Sequence, residues 1–75
     1  MPKLPLISAK AAIKAFEKLD YQIIRQKGSH IRMHHKTNKN KQPLTIPNHA
    51  MLGKGLLRKL LRDAELSVAD FLKLL

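Results

Sequence analysis

His30 stands directly after Gly28-Ser29 and among cations, with Arg25 and Lys27 before it and Arg32 after it. An imidazole in such company is suited to acid/base work on a phosphodiester. It can accept the proton of a ribose 2′-hydroxyl, whose oxygen then attacks the adjacent phosphorus, while Lys and Arg stabilise the charge on the phosphate. DNA lacks that nucleophile, so the route is confined to RNA, and it needs no metal ion. The residues alone leave a plainer use open, in which the same side chains bind RNA without cutting it. In a third use, a basic face docks an acidic protein partner.

The other histidines carry less. On one strand His30 and His34 lie about 13 Å apart at ~3.3 Å per residue. A zinc ion holds its ligands within ~2.1 Å, so it cannot take both. No carboxylate or thiolate stands nearby to complete a shell, so neither a metal site nor any other cofactor is expected. His34 and His35 are adjacent at a strand end and point to opposite faces, with solvent or phosphate as their default neighbours. His49 follows Pro47-Asn48 and either orients that loop or touches RNA. Gly53-Lys54-Gly55 is too short for a phosphate-binding P-loop. A helix opening there still offers free N–H groups to an anion.

These residues must be positioned by short elements. Ser8 is a candidate N-cap for a helix from about Ala9 to Leu19, with Ala9, Ala12, Ile13, Phe16 and Leu19 as its buried stripe. Lys10, Lys14 and Lys18 line the opposite side. Tyr21 to Lys27 reads as a strand, Gly28-Ser29 as a two-residue type II′ turn, and His30 to His35 as the return strand. That turn sets Lys27 opposite His30 and Arg25 opposite Arg32, on a face away from Ile31 and Met33. Residues 36 to 42 form a polar loop, and Pro43 to Pro47 a short third strand whose prolines suit an edge or strand ends. A second helix runs from about Lys54 to Ala64. Leu57, Leu60, Leu61 and Ala64 face inward, and Lys54, Arg58 and Arg62 form a cationic stripe with Lys59 beside it. Ser67 to Asp70 resembles a capping box for a short last helix, whose Phe71, Leu72, Leu74 and Leu75 are expected to pack on the core.

The expected fold is therefore α+β, in the order α-β-β-β-α with a short C-terminal helix. Its three-stranded antiparallel sheet carries the helices on one face, and residues 1–75 are expected to form one domain. With Phe16 and Phe71 assigned to the core, Tyr21 is the sole aromatic candidate for base stacking, so a stacking platform is disfavoured.

Charge placement agrees with a polyanionic partner. The chain has 15 Lys plus Arg and 5 Asp plus Glu, for a net charge of +10. The acids are Glu17, Asp20, Asp63, Glu65 and Asp70, so residues 21–62 hold none, yet they hold all four histidines and ten cations. Those cations are Arg25, Lys27, Arg32, Lys36, Lys39, Lys41, Lys54, Arg58, Lys59 and Arg62. The flanks balance. A surface of this kind binds phosphates and releases their counterions. The absence of Cys excludes a disulfide framework and fits a reducing compartment. No apolar run approaches the ~20 residues of a membrane span, and the N-terminus lacks the continuous apolar core of a signal peptide, so the cytoplasm is the expected location.

Three segments together resemble one family. They are Gln26-Lys27-Gly28-Ser29-His30, Thr45-Ile46-Pro47-Asn48-His49, and Lys54-Gly55-Leu56-Leu57-Arg58-Lys59-Leu60-Leu61. Their order and spacing are similar to those of the HicA toxins, small mRNA interferases of toxin–antitoxin pairs, and the likeness runs from about Leu4 to Leu75. It implies a double-stranded-RNA-binding-domain-like fold and metal-independent, ribosome-independent mRNA cleavage that arrests translation. The essential histidine of the Gly-Ser-His motif would be His30. Arg25, Lys27, Arg32, Lys54 and Arg58 are the candidate RNA contacts, with Gly28 and Ser29 shaping the turn. The implied partner is a HicB antitoxin that covers the active face. The free toxin is expected to be a monomer and the complex a hetero-oligomer. Three departures stand out: Asp20-Tyr21 replaces a common Gly-Phe, Leu56 a common Thr, and Glu65 a common Gly.

Overall fold

In the computed structural model, which describes residues 3–75, the elements run α1 (Ala9–Glu17), β1 (Tyr21–Lys27), β2 (His30–His35), β3 (Leu44–Pro47), α2 (Lys54–Asp63) and α3 (Val68–Leu72). The strands form an antiparallel sheet in the order β1-β2-β3, as the α+β expectation requires. Alternation decides which face is covered. Ile31 and Met33 of β2 and Leu44 and Ile46 of β3 are buried in one cluster with Phe16, Leu57, Leu60, Leu61 and Phe71. Each such side chain removed from water contributes roughly 1.5–3 kcal/mol before conformational entropy is subtracted. The helices lie on that face, α1 against β1 and β3 and α2 against β3. The residues between, His30, Arg32, His34 and Thr45, are left on the uncovered face.

Ser8 caps α1 as expected, its Oγ accepting from the Ala11 N–H at 3.1 Å. The helix stops at Glu17, two residues short of the expected end. The chain tightens there through Lys18 N–H to Ala15 C=O (3.1 Å), Leu19 N–H to Phe16 C=O (2.9 Å) and Asp20 N–H to Glu17 C=O (3.2 Å). Asp20 then adopts φ 68°, a left-handed turn that redirects the chain into β1. Leu19 is consequently only partly buried.

Two of the three departures from the family pattern fall where the backbone is left-handed. Besides Asp20, Glu65 has φ 58°. It follows α2 in a Schellman arrangement, with Leu66 N–H donating to Leu61 C=O at 2.9 Å and Glu65 N–H to Arg62 C=O at 3.1 Å. A Cβ in that region is strained, and glycine relieves the strain. Asp20→Gly is accordingly expected to raise stability by about 0.5–1 kcal/mol, read as a higher urea midpoint at unchanged slope. Glu65 is compensated differently. Its Oε2 accepts from Lys41 Nζ at 2.8 Å, which clips the loop after β2 to the end of α2.

That hydrogen bond holds the Glu65 carboxyl below its ordinary pKa and the Lys41 ammonium above its own. A lowered acid stabilises above the unfolded carboxyl pKa and loses its contribution as pH falls through the folded value. A raised ammonium does the reverse, losing its contribution as pH climbs above the ordinary Lys range. Glu65→Gln should therefore change stability little at neutral pH, the pair being exposed, and should flatten the pH dependence of the urea midpoint at both extremes.

Tyr21 belongs to the core rather than to a stacking surface. It is 2 % exposed and meets Phe16 edge-on at 6.1 Å between ring centroids. Its hydroxyl is buried with no hydrogen-bond partner among the described residues, which burial answers by pushing its pKa up. Phenylalanine in its place would leave nothing unpaired. Leu56, in place of a common Thr, packs against the core instead of offering a hydroxyl. At the C-terminus Ser67 caps α3, accepting from Asp70 N–H at 3.1 Å, and Phe71 is wholly buried. Leu74 packs on the cluster, whereas Leu72 is only half-buried and Leu75 stays exposed. The helix ends at Leu72, before Leu74 and Leu75, and its one inward face is filled by Phe71.

Candidate nucleic-acid interface

The hairpin turn is the first determinant. Gly28 has φ 59° and Ser29 does not share the left-handed region, as a type II′ turn requires. Two contacts brace it. Gln26 Nε2 donates to Gly28 C=O at 3.1 Å, and Asn48 N–H donates to Ser29 C=O at 2.6 Å. The segment after β3 thus anchors the turn that precedes His30. One residue later it also reaches α1, because His49 C=O accepts from Ala9 N–H at 3.1 Å. His49 orients the loop through its backbone, and its side chain is exposed.

The second determinant is a β-bulge. Lys27 pairs with His30 and Arg25 with Arg32, the register expected from a two-residue turn. Between Ile23 and Arg25 the register shifts, leaving Ile24 as the extra residue. Strict alternation would put Tyr21, Ile23, Arg25 and Lys27 on one face. The bulge divides them. Tyr21 and Ile23 stay opposite His35 and Met33, while Arg25 and Lys27 join the outward face of Arg32 and His30.

The product is a cleft of about 400 Å³ on the uncovered face, lined by Arg25, Lys27, Gly28, His30, Arg32 and Thr45. Arg32 is fixed across it, its Nη1 donating to Thr45 Oγ1 at 2.9 Å. His30 is exposed, and its ring makes no hydrogen bond among the described residues. Arg25 and Arg32 sit directly opposite each other although like charges so placed repel. No ion pair relieves them, since the salt bridges among the described residues are Lys41–Glu65 and Lys73–Asp70. Stability is given up to keep three cations around one imidazole. An anion held between them would recover it.

Of the residues expected at the site, five line this cleft: Arg25, Lys27, Gly28, His30 and Arg32. Ser29 shapes the turn without lining it. Lys54 and Arg58 are exposed on α2, outside the cleft. Gly53 caps α2 with no side-chain bond, so the free N–H groups expected there are present but do not join the cleft. His34 and His35 diverge as their adjacency requires, but His35 is a structural ligand rather than a solvated one. Its ring lies edge-on to Tyr21 at 5.3 Å, and its Nδ1 accepts from the N–H groups of Thr37 (3.3 Å) and Asn38 (2.9 Å). Thr45 was not among the expected site residues. The inward placement of Leu44 and Ile46 on either side of it is the signal that marks it as outward-facing.

No helix among the described residues is long and apolar enough to cross a membrane. Comparison with curated proteins and with solved structures gives no match. The family model of the HicA toxin of bacterial toxin–antitoxin systems does match, over residues 9–66, a span that contains α1, all three strands and α2 together with the whole cleft. The chain thus belongs to the HicA toxin family of bacterial toxin–antitoxin systems.

Proposed function

We propose that the protein is an endoribonuclease that cuts mRNA in the cytoplasm and arrests translation, with His30 as the acid/base residue and no metal ion in the reaction. The observation that carries this reading is the cleft itself. An exposed imidazole faces Lys27, Arg25 and Arg32 in an acid-free pocket, on the uncovered face of a HicA-family fold. The scissile phosphate would lie among the three cations. His30 takes the proton of the 2′-hydroxyl, the 2′-oxygen forms a bond to phosphorus, and the bond from phosphorus to the 5′-oxygen breaks. The departing 5′-oxygen takes a proton from solvent, and a cyclic phosphate remains on the upstream product. A HicB-type antitoxin would inhibit by covering this face.

The test is incubation of one sequence, as RNA and as DNA, with the purified protein in EDTA. Cleavage of RNA alone is expected; cleavage of DNA, or loss of RNA cleavage on chelation, overturns the reading.

Thr45 acts on this reaction through Arg32, as a positioning residue. Thr45→Val keeps a β-branched side chain in β3 and removes the acceptor. It is expected to lower kcat/KM about fivefold, the effect of ~1 kcal/mol in one hydrogen bond, with an unchanged urea midpoint. Thr45→Ser should restore most of the rate.

A further inference from the structure

A second basic cavity lies at the other end of the same strand. It holds about 160 Å³ and is lined by His34, His35, Asn38, Lys39, Lys41 and Pro43. On β2 the outward residues are His30, Arg32 and His34 in succession, so Arg32 of the cleft stands next along the strand face to His34 of this cavity. The loop that closes it is held in place. His35 Nδ1 accepts from the N–H groups of Thr37 and Asn38, and Asn38 Oδ1 accepts from Asn40 N–H at 3.0 Å. Those bonds fold the chain back at the strand end and bring Asn38 and Lys39 to the same cavity as His34. Lys41 is committed to Glu65. Lys39 forms no ion pair among the described residues, and His34 is exposed.

We infer that this cavity is a second phosphate subsite for the RNA strand whose scissile phosphate occupies the cleft at His30. The inference rests on the proposed function for the identity of the ligand. Three features favour a nucleic-acid backbone. The charged lining is wholly basic, His34 carries one wall of the cavity onto the face of the cleft, and neither cavity is lined by Phe, Tyr or Trp, Tyr21 being buried. Recognition there is through phosphate, and so is indifferent to sequence but sensitive to length. His30 and His34 are about 13 Å apart along the strand. Stacked nucleotides rise ~3.4 Å each, so the subsite is reached about four nucleotides from the cut, or fewer if the strand is stretched. A dinucleotide fills the cleft alone, whereas a longer strand fills both sites.

The experiment measures binding without turnover. Fluorescent 2′-O-methyl RNAs of two and eight nucleotides, which lack the nucleophile, are titrated at low salt into wild type and into His34→Ala/Lys39→Ala. Both replaced side chains are exposed, and circular dichroism confirms the fold. The variant is expected to bind the eight-nucleotide strand about tenfold more weakly, to bind the dinucleotide as wild type does, and to show a salt slope smaller by about one. Unchanged affinity for the long strand, or an equal loss at both lengths, overturns the inference. So does displacement of the long strand by polyglutamate at equal charge concentration, which would give the cavity to an acidic protein. Binding and cleavage separate the two proposals. A wild type that does not cut RNA but loses length-dependent binding in the variant keeps the subsite and refutes the nuclease. A wild type that cuts RNA while the variant binds both lengths normally does the opposite.

Discussion

His30→Ala is expected to abolish detectable RNA cleavage, a fall of ~10²–10⁴-fold of the size that a positioned general base supplies. The folded protein should be unaffected. His30 is exposed and its ring bonds to nothing among the described residues, so its removal opens no cavity and orphans no polar group. The variant should therefore show the urea midpoint of the wild type, and should still bind RNA through Arg25, Lys27 and Arg32. Loss of cleavage together with loss of binding would point to a phosphate contact at His30 rather than a proton transfer. Cleavage within threefold of wild type would remove His30 from the mechanism.

The largest effect on stability is expected at Phe16. Its side chain is wholly buried and lies 5.6 Å from Phe71 and 6.1 Å from Tyr21 between ring centroids, so one residue joins α1, α3 and the start of β1. Truncating a buried phenylalanine to alanine costs about 3–5 kcal/mol. A small single core supplies little more than that in total. Phe16→Ala should be largely unfolded at 25 °C, with loss of the cooperative urea transition, while Phe16→Leu should retain a transition at a lower midpoint. A Phe16→Ala protein that unfolds cooperatively near the wild-type midpoint would show that the three aromatic rings do not hold the helices to the sheet.

Much of this was legible in the residues because each element carries its own period. The apolar spacing of Leu57, Leu60 and Leu61 and the alternation of Ile31 and Met33 fix which side faces inward, and a Gly-Ser turn of two residues fixes the register next to it. The turn determines pairing only nearby. The bulge at Ile24 lies beyond its reach and answers a conflict between Tyr21, needed in the core, and Arg25, needed outside. Spacing along α2 identified Lys54 and Arg58 as exposed cations but carried no information on how that helix stands relative to the sheet, and the cleft forms without them. His35 was hidden for a related reason. Its partners are N–H groups of the following loop, whose path no periodicity describes. The left-handed backbone at Asp20 and Glu65 was obscured because neither position holds the glycine that would announce it.

In the proposed reaction an imidazole and three cations, without metal, direct a 2′-hydroxyl onto its own phosphate. The most direct measurement is the chemistry of the new ends. RNA cut by the wild type in EDTA is expected to carry a 2′,3′-cyclic phosphate on the upstream fragment and a 5′-hydroxyl on the downstream one, both absent with His30→Ala. A 3′-hydroxyl paired with a 5′-phosphate would mean that water, not the ribose, attacked phosphorus, and would contradict the account.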